Sequence, residues 1–141
     1  MKIYLAARYE RRAEMAGYGA ELEAMGHEIT SRWISGSHDP MIRWARFAEE
    51  DIEDITRADA VVSFTENLSH GLSGRGGRHV EFGVAIALGK QLIVVGCREN
   101  VFHHLGMVYY YETWDKCKKH LTPLPGIDSF RGVAPGIRRG L

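Results

Sequence analysis

Glu81 follows a glycine-rich run, Gly74-Arg75-Gly76-Gly77-Arg78-His79-Val80-Glu81, and precedes Phe82-Gly83-Val84-Ala85-Ile86-Ala87-Leu88-Gly89-Lys90. Glycines let a backbone approach a ligand closely and take positive φ at little cost. A helix N-terminus presents unpaired N–H groups to an anion. A single carboxylate at the edge of such a pocket can serve as a nucleophile. The pattern predicts a helix over residues 80–88 with Glu81 in its first turn, where the macrodipole favours a negative charge. That field keeps the carboxylate ionised, which suits a nucleophile more than a general acid. The same placement also fits a first-turn glutamate that only stabilises its helix.

Two further residues can join Glu81. Asp51 lies on a predicted helix with Glu49, Glu50, Glu53 and Asp54, between Phe47 and Ile55 at i−4 and i+4. It borders the apolar stripe and can point into a pocket, although an exposed helix acid has the same spacing. Tyr4 sits in a short apolar strand with Ala6 on its own face and Ile3 and Leu5 on the other. A buried tyrosine hydroxyl needs a partner, and a catalytic carboxylate would supply one. Arg8, Arg11 and Arg12 follow that strand, and Arg75 and Arg78 flank the glycines; converging arginines suit a phosphate, and scattered surface charges fit the same sequence equally well. Ser69, Ser73, Gly74, Arg75, Gly76 and Gly77 can form an anion nest. The P-loop order G-x-x-x-x-G-K-[ST] is absent, and no G-x-G-x-x-G follows the first strand, so no cofactor is expected. His103 and His104 are adjacent without a spaced third ligand, which predicts no metal. Trp33, Trp44 and Trp114 can stack a base or fill a core.

These residues must be positioned by alternating elements. Strands are expected at residues 3–7, 27–33, 60–64, 92–95 and 107–111. Helices are expected at 10–25, with Met15, Tyr18, Leu22 and Met25 on one face; at 41–57, with a stripe of Ile42, Ala45, Ala48, Ile52 and Ile55; at 80–88; and at 113–121. The alternation predicts an α/β domain over residues 1–121, a parallel five-stranded sheet with helices on both faces. Ligands in such sheets sit beyond the carboxyl ends of the strands, where the loops after Ala7, Phe64 and Val95 should meet. Residues 65–77 make a long polar connection with four glycines, and long loops in compact domains are often functional. Residues 122–141 hold three of the four prolines and read as an extended tail, disordered or draped over a neighbouring subunit.

The 141 residues carry 18 basic and 18 acidic side chains, a balance that gives no large basic surface for duplex nucleic acid. Cys97 and Cys117 form no C-x-x-C pair. No apolar run is long enough to span a membrane, and the start lacks a signal-peptide core. A cytoplasmic protein is expected.

The first strand Lys2-Ile3-Tyr4-Leu5-Ala6-Ala7, Asp51 on the helix before strand 60–64, and the Gly77–Lys90 run together resemble the nucleoside 2-deoxyribosyltransferase superfamily. The run Gly96-Cys97-Arg98-Glu99-Asn100-Val101-Phe102-His103 resembles members of the same group. The relatives include the nucleoside 5′-monophosphate N-glycosidases. The resemblance covers roughly residues 1–120 and implies a flavodoxin-like, Rossmann-like sheet and cleavage of N-glycosidic bonds. It implies Glu81 as the nucleophile, Tyr4 as the residue orienting it, and Asp51 as a carboxylate contacting the base or the nucleophile. Ala6, Arg8, Ser73, Gly74, Arg75, Gly76, Gly77 and Arg78 are implied as substrate-binding positions. The partner would be a small nucleoside or nucleotide, and a neighbouring subunit would complete the pocket in a homodimer or larger homo-oligomer. The transferases carry a further acid about six residues before the nucleophile. Here that position is Arg75, which leans toward a phosphate-bearing substrate. A non-catalytic nucleotide-binding module on the same fold is the reading from a different class.

Overall fold

Three runs dominated by apolar residues, Lys2–Ala6 (β1), Ala60–Phe64 (β3) and Gln91–Val95 (β4), form the buried centre of a parallel sheet. Strands covered on both faces read as continuous apolar runs rather than alternating ones, and β3 is buried at all five positions. Glu28–Ile29 (β2) and Val108–Tyr111 (β5) are the edges, giving the order β2-β1-β3-β4-β5 with every pairing parallel. The computed structural model describes residues 1–36, 43–67 and 76–123. The expected tail therefore lies outside the described residues, apart from Thr122 and Pro123.

The alternation along each strand sorts the core into two layers. Ile3, Leu5, Val62, Phe64, Ile93 and Val95 face Arg12–Ala24 (α1) and Trp114–Leu121 (α4), which contribute Met15, Leu22, Trp114, Cys117 and Leu121. Tyr4, Ala6, Val61, Leu92 and Val94 face Trp44–Arg57 (α2) and Gly77–Ala87 (α3), which contribute Ile55, Phe82 and Ala85. Helices thus cover both faces, as the alternation predicts, and Tyr4 shares its face with Ala6. Both cysteines are free. Trp114 stacks on Tyr18 inside the first layer, and Trp33 donates its indole N–H to the Leu5 carbonyl at 2.8 Å, so both serve the fold. No helix among the described residues is long and apolar enough to cross a membrane.

Three expectations need correction. The second strand is two residues long, not seven, and Arg32–Ile34 is a 3-10 turn. The ladder ends because side chains take over its partners: Leu5 N–H donates to Ser31 Oγ at 2.6 Å, and Arg32 N–H donates to Asp54 Oδ2 at 2.8 Å. The apolar stripe assigned to α2 does not face the sheet. Ala45 and Ala48 are exposed, Ile52 is 49% exposed, and only Ile55 of that set is described as buried; Ile42 lies outside the described residues. The inward face instead carries Asp54, fully buried and held by Arg32 Nε and Arg57 Nη2 at 2.8 Å each. A buried carboxylate with two guanidinium partners rotates the helix away from the face that hydropathy favours. Third, α3 begins at Gly77, not at residue 80, because Gly76 at φ +76° serves as a left-handed N-cap.

The loops at the carboxyl edge start unusually close together. Gly96, just after β4, has φ +118°, and a Cβ there would lie 2.6 Å from Thr65 Oγ1 and 3.1 Å from the Thr65 carbonyl oxygen. The Cys97 N–H and the Val95 carbonyl close on the same Thr65 hydroxyl. Gly96→Ala is expected to cost about 2–4 kcal/mol, from the strained φ and the overlap together. Urea denaturation checks it; a loss below about 0.5 kcal/mol would show that the contact relaxes.

Candidate active site

The order β2-β1-β3-β4-β5 reverses direction between β1 and β3, and in doubly wound sheets of this order the ligand crevice lies at that point. Tyr4 and Ala6 of β1 stand there, in register with Val61 and Ser63 of β3. The loops after β1, β3 and β4 do meet at this edge. Arg11 Nη1 reaches Glu66 Oε1 at 3.2 Å and the Thr65 carbonyl at 3.4 Å, and Cys97 Sγ lies 2.8 Å from the Glu66 carbonyl.

The Tyr4 hydroxyl donates to Glu81 Oε1 at 2.9 Å across 77 residues of chain. Asp51 of α2 lies close enough to interact with both. Three side chains from three elements are therefore brought together, as sequence spacing and resemblance imply. Glu81, however, is the fifth residue of α3, and the first turn holds no acid. The macrodipole fades within the first turn, so it does not govern this carboxyl. Burial raises Glu81 to about 8, Asp51 adds to the rise, and the Tyr4 hydroxyl and the Arg78 charge oppose it. Asp51 is raised to about 6, again first by burial, with Asp54 adding repulsion and Tyr4 opposing. Tyr4 itself is held well above the usual phenol range by burial and by both carboxylates. The expectation that helix position keeps Glu81 ionised is thus overturned by desolvation. Two interacting carboxyls titrate as a pair, and near neutral pH this pair shares a proton.

The remaining positions expected to bind substrate separate into groups. Ala6 is fully buried beside the site at the end of β1. Gly76 and Gly77 form the start of α3, with Gly77 exposed. The Arg8 side chain makes a long ion pair to Glu10, at 3.6 Å. Ser73, Gly74 and Arg75, with Ser69, lie outside the described residues. Arg11 is engaged by Glu14 and Glu66, and Arg12 by the Gly36 carbonyl and Tyr9. Arg78 departs most from expectation. It is buried, and its Nη2 donates to both oxygens of Glu99 at 2.7 and 2.8 Å, so this guanidinium is tied to a protein carboxylate rather than presented to solvent.

Glu99 is the residue that sequence reasoning missed. Beyond Arg78, it accepts from the Glu66 backbone N–H and pairs with His79 Nε2 at 2.9 Å. Its own N–H donates to His103 Nδ1 at 3.1 Å. Its place in the Gly96–His103 run, just past the end of a buried strand, hinted at importance without giving it a role. Among the described residues no cluster of three or more His, Cys, Asp or Glu side chains could hold a metal ion.

The fold is shared with two solved structures. One is the CMP N-glycosidase of Clostridium botulinum, at 22% identity and a TM-score of 0.58, with 86% of this chain and 95% of that one aligned. The other is a 2-deoxyribosyltransferase from Bacillus psychrosaccharolyticus, at 19% identity and a TM-score of 0.60, with 90% and 100% aligned. Identities this low show a common flavodoxin-like α/β fold. No family model matches the chain, and no curated protein matches it in sequence.

The raised Glu81 has a stability consequence. Below pH 4.5, its ordinary value, the carboxyl is protonated folded and unfolded alike. Between there and about 8 the unfolded chain gives up the proton first, so rising pH favours unfolding. Glu81→Gln is therefore expected to stabilise the protein by about 1–3 kcal/mol above pH 8 and by little at pH 4. Urea melts of both proteins at pH 4, 6.5 and 8.5 measure the difference; a gain that does not grow with pH would contradict it.

Proposed function

We propose that the chain cleaves the N-glycosidic bond of a nucleoside or nucleotide through Glu81 and transfers the sugar to a second base. The observation that carries this reading is the Tyr4–Glu81 hydrogen bond with Asp51 beside it at the β1/β3 crevice. A Glu81 oxygen attacks the anomeric carbon as the C–N bond breaks. The bonding electrons leave with the base nitrogen, which takes up a proton. The oxocarbenium-like centre collapses to a glycosyl ester. An incoming base then attacks the anomeric carbon, displaces the Glu81 carboxylate and re-forms the N-glycosidic bond, its ring N–H proton passing to Asp51. The single proton shared by the carboxyl pair fits this sequence when Asp51 holds it and Glu81 is ionised: nucleophile and proton donor then stand side by side. The Tyr4 hydroxyl orients the nucleophile and stabilises its charge.

Water entering in place of the second base would make the same site a nucleoside 5′-monophosphate N-glycosidase. Arg75, standing where the transferases hold an acid, favours this second reading, whereas the fold, shared with both a CMP N-glycosidase and a 2-deoxyribosyltransferase, fits either one. The assay is a panel of ribo- and deoxyribonucleosides and their 5′-monophosphates, with and without a free acceptor base. Base exchange only with acceptor supports transfer; free base without it supports hydrolysis. Tight nucleotide binding with no turnover would instead identify a non-catalytic module. Glu81→Ala is expected to lower kcat by at least about a thousand-fold. The pH profile of kcat/KM should be bell-shaped, rising through about 6 and falling through about 8, the range in which the pair keeps one proton. A profile flat from pH 5 to 9 would remove the pair from the mechanism.

A homodimer or larger assembly completes the proposal. The outward faces of α2 and α3 support it, since Trp44, Ile52, Val80 and Leu88 are all exposed there or just past α3. Exposed apolar side chains on two helices that pack together are consistent with an association surface there. Light scattering at working concentration is expected to give at least twice the 15.9 kDa chain mass, and a monomer would contradict it.

A further inference from the structure

Glu99 joins the exit of β3 to the first turn of α3 while lying outside the reacting trio. It accepts the Glu66 N–H at the exit of β3, both of its oxygens bond Arg78 Nη2, and it pairs with His79 Nε2 at 2.9 Å. Its side chain is 4% exposed and that of Arg78 is 7% exposed, so little water screens the pair. The clamp is itself braced: the Glu99 N–H donates to His103 Nδ1 at 3.1 Å, and Asn100 Nδ2 lies 3.3 Å from His103 Nε2 and 3.4 Å from His79 Nδ1. His103 in turn packs edge-on against Phe82, the neighbour of Glu81. Arg78 precedes Glu81 by three residues, the spacing at which helix side chains share a face.

We propose that Glu99 is a positioning residue for the Glu81 site, fixing the first turn of α3 through Arg78 and His79 and setting, through the Arg78 charge, the field in which Glu81 works. This assignment rests on the reading of Glu81 as the reacting carboxylate, but its mechanical and electrostatic content can be measured without turnover. Among the described residues, the charged and titratable groups facing Glu81 are the Tyr4 hydroxyl from β1, Asp51 from α2 and Arg78 from α3. Arg78 opposes the burial that raises Glu81, and Glu99 is its counter-ion. The two residues of the clamp therefore act on Glu81 with opposite signs. Removing the Glu99 charge leaves the Arg78 field uncompensated and lowers the Glu81 pKa. Removing the Arg78 charge leaves a bare carboxylate and raises it.

The test is carbon-detected NMR titration of glutamate-labelled full-length protein, with the Glu81 signal assigned by its loss in Glu81→Gln. Relative to the native titration, Glu99→Gln is expected to shift Glu81 down and Arg78→Met to shift it up, each by about half a unit or more. Glu99→Asp, which keeps the charge, should return the value toward native. Amide hydrogen exchange in the first two turns of α3 should speed up in Glu99→Gln while that of α1 is unchanged. Shifts of the same sign in both variants, or lower thermal stability with an unmoved Glu81 titration, would overturn the proposal and leave Glu99 a scaffold residue. If Glu99→Gln does not fold, the Arg78→Met and Glu99→Asp titrations still decide it. Absence of turnover in the native protein would sink the enzymatic reading alone.

Discussion

A carboxylate taken out of water must be neutralised or matched, and the arrangement around Glu81 follows from that constraint. Burial at the sheet surface disfavours its charge. The sheet supplies one hydroxyl, from Tyr4, and α2 supplies a second carboxyl that cannot comfortably be ionised at the same time. The outcome is a site that stores one proton between two oxygen acids. It has the same logic as other paired-carboxyl sites, in which environment assigns different roles to chemically similar groups. The three residues come from β1, α2 and α3, so the site exists only once the α2/α3 layer has packed on the sheet.

The same layer explains why a polar face was chosen for α2 over an apolar one. Asp54 ties the helix to Arg32 and Arg57 and to the backbone of the 3-10 turn after β2. Asp51, one turn earlier, is thereby aimed at Tyr4. Ile52, adjacent to Asp51 in sequence, is turned outward. Buried ion pairs are weak evidence for stability but can fix a unique packing; here the packing they fix is the one that delivers a catalytic candidate to the crevice.

Much of this was legible in the residue pattern, and the exceptions share a cause. Continuous apolar runs identify β1, β3 and β4, and the helical spacing of Met15, Leu22 and their neighbours identifies α1. Tyr4 and Glu81 were readable because strand alternation sets Tyr4 and Ala6 on the face opposite Ile3 and Leu5 and the glycine run marks the entry of α3, and the resemblance joins the two. The short β2, the rotated α2 and the clamp role of Glu99 were not readable. Each depends on a polar side chain meeting a distant backbone or guanidinium group: Ser31 with Leu5, Asp54 with Arg32, Glu99 with Glu66 and Arg78. Local hydropathy carries no trace of such pairings. The weight given to helix position at Glu81 was misplaced for a related reason, since helix position is a local property and desolvation is not.

Gly96 presses against Thr65 closely enough to leave no room for a methyl group. The loops leaving β3 and β4 therefore begin as one welded corner, and Glu99 and Glu66 carry the weld a further step outward. Segments at this edge cannot diversify one at a time. A chimera that imports the loop after β3 from a relative, while keeping the native one after β4, would bring a mismatched corner with it. In this fold, new substrate preferences at the crevice would have to be exchanged, or acquired, as a matched pair of loops.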